Sequence, residues 1–117
     1  MKKILYVEDN ADTASAVKAL LSREGFHVDL AADGNEGIRM ARKEYDVILL
    51  DIMLPDMSGW DIFERVRQTT HAKIAFLSAL PVSPERFAEL KKSGVSDYIT
   101  KPFDSGDLIA RVKKMIS

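Results

Sequence analysis

Asp51 follows the apolar run Val47-Ile48-Leu49-Leu50, where a buried strand should end and its next side chain should meet solvent. A carboxylate so placed is suited to act as a ligand or a nucleophile. Three further polar signals stand in the same relation to apolar runs: Glu8-Asp9 after Ile4-Leu5-Tyr6-Val7, Ser78 after Ile74-Ala75-Phe76-Leu77, and Lys101 after Tyr98-Ile99. Brought together, Glu8, Asp9 and Asp51 would repel one another, by about 4 kcal/mol for a pair about 4 Å apart at an effective dielectric of about 20. A compensating cation must then sit nearby. Hard oxygen ligands without His or Cys favour Mg²⁺, with Mn²⁺ as the alternative, over zinc. Lys101 adds a compact positive charge able to pair with a carboxylate or a phosphoryl oxygen, and Ser78 adds a hydroxyl donor. These parts suit phosphoryl transfer, in which catalysis is largely positioning and charge neutralisation. An acyl phosphate on Asp51 is the natural product.

The elements that must hold these groups alternate between two periods. Short aliphatic runs at about 4–7, 28–31, 47–50, 74–77 and 96–99 predict buried strands. Between them lie stretches with helical spacing. Ala14, Val17, Leu20 and Leu21 share one face, after a cap at Asn10 or Asp12 and before the terminator Gly25. Ile38 and Ala41 follow a turn at Asp33-Gly34, and Ile62, Phe63 and Val66 follow Ser58-Gly59. Phe87, Leu90 and Lys91 follow Ser83-Pro84, where proline suits a first helical position. Leu108, Ile109, Val112 and Ile116 form a last stripe behind Asp104 or Ser105. Five β-α repeats with near-continuous apolar strands predict an α/β fold: a parallel sheet covered on both faces and doubly wound by right-handed crossovers. In such sheets function collects beyond the carboxyl ends of the strands, where Asp9, Asp51, Ser78 and Lys101 fall.

With 117 residues, the chain is expected to form one domain, residues 1–117. Its 17 basic and 18 acidic side chains balance, so the total implies no polyanion-binding surface and no direct nucleic-acid binding. There is no cysteine, which excludes disulfides, thiol catalysis and thiolate metal sites. Apolar runs are far shorter than the roughly 20 residues that cross a bilayer, and Met1-Lys2-Lys3 precedes too short a run for a signal-peptide core. The expectation is a soluble, cytoplasmic chain without a membrane partner.

The chain resembles a response-regulator receiver domain of two-component signalling, from Lys2 to Ile116. The resemblance rests on Val7-Glu8-Asp9, the run from Leu50-Asp51 through Pro55-Asp56-Met57-Ser58-Gly59, Leu77-Ser78-Ala79, and Tyr98-Ile99-Thr100-Lys101-Pro102-Phe103. It implies a flavodoxin-like three-layer sandwich with strand order 2-1-3-4-5 and five helices. It further implies that Asp51 accepts a phosphoryl group from a sensor histidine kinase or phosphotransfer protein. Glu8 (through water), Asp9, Asp51 and the Met53 backbone carbonyl would hold Mg²⁺. Lys101 would pair with Asp51 and then with the phosphoryl group, Ser78 would swing toward that group, and Tyr98 would turn inward as the switch aromatic. A cis Lys101-Pro102 bond is implied as well. Met53 and Leu80, two residues past Asp51 and Ser78, occupy positions that tune loss of the phosphoryl group in this family. Both are apolar and unable to orient an attacking water, so a long-lived phosphorylated state is expected. Asp107-Leu108-Ile109-Ala110-Arg111-Val112 resembles receivers attached to winged-helix DNA-binding domains. That subgroup implies an output domain or downstream protein, and a phosphorylation-dependent homodimer through the fourth helix, fifth strand and fifth helix, with Asp97, Asp107 and Arg111 on that surface. With the last helix running to the end of the chain, a stand-alone receiver and a fragment of a longer regulator are both open.

Each signal has a plainer reading. Asp51 alone would be a capping or loop carboxylate, Lys101 a solvated lysine, Ser78 a strand-end hydroxyl and Tyr98 ordinary core. It is the joint register of the acids with Lys101 that favours chemistry. Trp60 reads as partial core or surface cover, His27 and His71 as surface or strand-edge residues away from the cluster, and Met40 and Met115 as gap-fillers. A haloacid-dehalogenase-like phosphatase would want an aspartate where Met53 stands. A flavodoxin would want a hydroxyl- and glycine-rich loop where Glu8-Asp9-Asn10-Ala11 stands. A pseudo-receiver would be expected to lack part of the acid-lysine set.

Overall fold

The computed structural model describes residues 1–117. Strands and helices alternate without exception. They are β1 (Lys3–Val7), α1 (Ala11–Ser22), β2 (His27–Ala31), α2 (Gly34–Met40), β3 (Val47–Leu50), α3 (Gly59–Val66), β4 (Lys73–Ser78), α4 (Pro84–Lys92), β5 (Val95–Thr100) and α5 (Ser105–Ile116). All five strands are parallel and lie in the order β2-β1-β3-β4-β5, as expected from the resemblance.

Alternation along the strands divides the core into two layers. Leu5, Val7, Ile48, Leu50, Ile74, Phe76 and Tyr98 face Ile62, Phe63 and Val66 of α3 and Leu90 of α4. Ile4, Tyr6, Val47, Leu49, Ala75, Leu77 and Ile99 face Val17 and Leu21 of α1 and Leu108 and Val112 of α5. Period-two geometry makes this division, and burial on both faces explains why β3 reads as unbroken Val-Ile-Leu-Leu. Met40 and Met115 fill space at the margins, one in each layer.

Every helix starts on a side-chain acceptor. Asn10, Asp33, Ser58, Ser83 and Asp104 accept from the backbone N–H three residues on, at 2.9, 2.8, 3.3, 3.1 and 2.9 Å. Each such cap contributes about 1 kcal/mol. Two ambiguities are thereby resolved, in favour of Asn10 and of Asp104. The expected turn at Asp33-Gly34 is instead the cap and first residue of α2, because the Asp33 carboxylate bonds forward into the helix. Gly25 has φ 90°, a conformation that stops α1 cheaply only without a side chain. Lys91 does not join the apolar face of α4: it is exposed, with its ammonium 5.0 Å from the Phe87 ring centre.

β1 is the switch point. β1 leads to α1 on one face and its neighbour β3 leads to α3 on the other, which parts the β1-α1 and β3-α3 loops and opens a crevice at the strand ends. No helix is long and apolar enough to cross a membrane.

Candidate functional site

The register sets the site. Val7 pairs with Leu50, and the Asp51 N–H donates to the Val7 carbonyl at 3.1 Å, so Glu8 and Asp9 emerge beside Asp51. On the far side of β4, the Lys101 N–H donates to the Ser78 carbonyl at 2.8 Å, which brings the end of β5 level with the others. Strand alternation places Glu8 on the side of Tyr6, Asp51 on that of Leu49 and Lys101 on that of Ile99, all toward the α1 and α5 layer.

The carboxylates of Glu8, Asp9 and Asp51 each offer an oxygen, and these lie within 4.8 Å of one another. Glu8 and Asp51 are buried, while Asp9 opens to solvent. The Lys101 ammonium reaches both buried acids, donating to Glu8 Oε1 and, at 3.3 Å, to Asp51 Oδ2. Its closer partner is therefore Glu8, where the resemblance implied Asp51. Asp51 Oδ1 accepts from the N–H of Ile52 at 2.7 Å and of Met53 at 3.3 Å, which fixes its rotamer and leaves Oδ2 toward Lys101. Glu8 Oε2 accepts from Asn10 N–H at 3.2 Å.

Tyr6 is a member that the sequence reading treated only as strand. Its hydroxyl donates to Glu8 Oε1 at 2.9 Å, and burial, with the Glu8 charge adding, drives the phenol far above its ordinary range. Tyr6 thus stays a neutral donor to a buried carboxylate. The signal was the i, i+2 spacing from Glu8 on one strand, which puts both side chains on one face.

Three acids against one ammonium leave an excess of negative charge, and all the donors are carboxylate oxygens. A divalent, oxygen-seeking cation fits this set, and a thiophilic or imidazole-bound metal does not.

Ser78 and Tyr98 lie on the other layer. Ser78 is fully buried, and its Oγ accepts from Leu80 N–H at 3.3 Å. Tyr98 is already inward, its hydroxyl donating to the Leu80 carbonyl. Its phenol is raised first by burial, with Asp51 adding and a hydrogen bond with Ser78 opposing. Tyr98 stacks on Trp60 with centroids 6.5 Å apart, Trp60 tilts against Phe76 at 4.5 Å, and the Arg86 guanidinium covers the Trp60 ring at 5.4 Å. Trp60 is half-buried and ties the start of α3 to Phe76 and Tyr98. The Lys101-Pro102 bond is cis. Met53 and Leu80 are exposed. His27 and His71 lie at the opposite end of the strands. A groove of about 730 Å³ is also at that base, and none of the clustered residues line it.

The sequence model for the response regulator receiver domain matches residues 4–113. The chain belongs to that family. As a receiver it is 42% identical over 113 residues to the transcriptional regulatory protein DltR of Streptococcus agalactiae, covering 95% of this chain and 50% of DltR. The receiver spans about half the length of the curated relatives it matches. Among solved structures it resembles the Francisella response regulator 1452 receiver domain, with TM-score 0.90 and 34% identity over 99% of this chain and 97% of that one. It also resembles the response regulator TrrA of Thermotoga maritima, solved with Mg²⁺ and BeF, with TM-score 0.84 and 31% identity over 98% and 99% of the two chains. The receiver is thus a phosphorylation-dependent switch module of two-component signalling, with the acidic pocket of its family in place.

Proposed function

We propose that Asp51 accepts a phosphoryl group from the phosphohistidine of a sensor kinase or phosphotransfer protein. The observation that carries this is the Lys101 ammonium bridging Glu8 and Asp51, with Asp9 completing a three-carboxylate set open to solvent on one side. Asp51 attacks phosphorus in line; the P–N bond breaks as the P–O bond forms, and the departing imidazole takes a proton. Glu8, Asp9, Asp51 and the Met53 carbonyl would hold Mg²⁺, which neutralises charge on the acids and on the transferred oxygens. Lys101 shifts from the carboxylate to a phosphoryl oxygen, and Ser78 donates its hydroxyl to another. Tyr98 and Trp60, packed on Phe76, carry the change to α4, β5 and α5. Incubation with a small phosphodonor, read by intact mass, tests this reading. One phosphoryl group should appear with Mg²⁺ and none in chelator; no uptake under either condition would sink it.

Met53 and Leu80 are both exposed at the mouth of the site and carry no group that could align water. Once the phosphodonor is removed, label should persist for hours. Decay no slower than that of a Met53→Asn variant, which restores a polar group able to align water, would count against their role.

The output face is formed by α4, β5 and α5. There Arg111 contacts Asp97 at 3.4 Å and Asp107 at 3.2 Å, and donates to the Tyr98 carbonyl at 3.1 Å. Arg111 therefore senses β5 directly beside Tyr98. We read this face as a homodimer surface engaged on phosphorylation, in a cytoplasmic regulator whose output domain or downstream protein, and not this receiver, meets DNA. Sedimentation should show monomer without, and dimer with, a phosphoryl mimic. A monomer in both states at high concentration would refute the dimer.

A further inference from the structure

The β3-α3 loop carries Asp51 at one end and, two residues on, the Met53 carbonyl, yet its middle is anchored outside the acidic cluster. Asp56 at its tip accepts two backbone N–H groups, Gly34 to Oδ1 at 2.8 Å and Asn35 to Oδ2 at 2.9 Å. These amides lie 22 and 21 residues away in the chain and open α2. Beside them Met57 rests directly on Gly34: a Cβ there would lie 2.3 Å from Met57 Cγ. Helix α2 in turn sits hard against β1, since a Cβ on Gly37 would lie 2.8 Å from a Val7 methyl. Val7 precedes Glu8 and Asp9. A chain of close contacts therefore runs from the β1 acids through α2 to Asp56 and back along the loop to Met53. Within the loop, Met53 and Ser58 bridge as an antiparallel pair, and the Gly59 N–H closes on the Ile52 carbonyl at 2.8 Å. The loop is thus stiff, and its placement is set where Asp56 meets α2.

We infer that Asp56 is a positioning residue for the divalent cation, holding the β3-α3 loop on α2 so that the Met53 carbonyl stands at a fixed place beside Asp9 and Asp51. This rests on the proposed metal reading of the cluster. Asp56 itself is exposed and touches none of the three acids' carboxylates in the hydrogen-bond network. The two amides hold its carboxyl below the usual carboxylate range, Gly34 contributing first and Asn35 second, so it is ionised wherever the cation binds. Charge-assisted bonds of this kind are about twice as strong as neutral ones, and because the two donors meet different oxygens, an asparagine would turn its NH₂ toward one of them.

Calorimetric titration of Mg²⁺ into the wild-type chain, Asp56→Asn, Asp56→Ala and Asp9→Asn tests the inference. Residues that support metal ligands from outside typically change affinity by about 10–100-fold when replaced. Asp56→Ala should weaken Mg²⁺ binding about tenfold, with Asp56→Asn between it and wild type because one acceptor remains. Phosphodonor labelling of both variants should need more Mg²⁺ for half-saturation yet reach a near-wild-type rate once Mg²⁺ saturates. A merely structural role would lower melting temperature and leave the half-saturation point where it is. If Asp56→Ala is poorly folded, Asp56→Asn carries the comparison. Wild-type affinity in both variants overturns the role of Asp56 while the Asp9→Asn loss keeps the metal site standing. A wild-type chain that binds no Mg²⁺ overturns both.

Discussion

Asp51→Asn should take up no phosphoryl group from any donor and should unfold at higher urea than wild type in divalent-free buffer. The two effects have one cause. Asp51 Oδ2 is both the proposed nucleophile and a buried oxygen set among two other carboxylates. With oxygens within 4.8 Å and an effective dielectric of about 20, each of its two repulsions with Glu8 and Asp9 costs at least about 3.5 kcal/mol, about 7 kcal/mol together, against about 5 kcal/mol of attraction to Lys101 at 3.3 Å. Solvent around Asp9 reduces one repulsion, so neutralising Asp51 stabilises the chain by on the order of 1 kcal/mol. The asparagine carbonyl can still accept the Ile52 N–H that fixes the rotamer at 2.7 Å. Added Mg²⁺ should reverse the order, since a ligand bound to the folded state stabilises it by about 1.4 kcal/mol at ten times its dissociation constant. A phosphorylated Asp51→Asn chain, or one less stable than wild type in chelator, would contradict this.

Gly59→Ala should cost about 3 kcal/mol, the top of the range for overpacking, and should slow labelling as well. The glycine is required by a close approach and not by its dihedral angles, since it has no positive φ. A Cβ on it would lie 2.2 Å from the Asp51 carbonyl oxygen and 2.9 Å from the Ile52 Cα. Both are backbone atoms, and no rotamer change can move them away. Relief requires displacing the end of β3, which carries the acceptor, or the first turn of α3, which carries Trp60. Urea unfolding reads the first effect and initial labelling rate the second. A variant within about 0.5 kcal/mol of wild type, the usual scatter for neutral surface changes, would mean that the loop yields easily.

The architecture was legible because the strands are short, apolar and separated by capped helices, so run length and helical spacing separated strands from helices. The acidic cluster was legible for a related reason: in a parallel sheet, the residue after each apolar run must emerge at one edge. What could not be read were contacts set by loop geometry. Nothing in Pro55-Asp56-Met57 distinguishes a solvated turn from a carboxylate clamped on two amides of α2, because the partners lie in a different β-α unit. Likewise Lys101 reaches Asp51 at 3.3 Å as expected, but its second partner Glu8, to whose same oxygen Tyr6 adds a donor, could not be read. The switch pair shows the reverse case. Tyr98 looked like ordinary core from its strand, and it is core, packed on Phe76 and Trp60, while its hydroxyl holds the Leu80 carbonyl beside Ser78.

The proposed acceptor function requires three carboxylates and one ammonium to act as a single cation-dependent site. Its most direct test is to label the wild-type chain with a small phosphodonor, trap the acyl phosphate chemically and locate it by peptide mapping. The adduct should sit on Asp51 alone and appear only when Mg²⁺ or Mn²⁺ is supplied. An adduct on Glu8, Asp9 or a histidine, or equal labelling of Asp51 in chelator, would show that the cluster is not that acceptor.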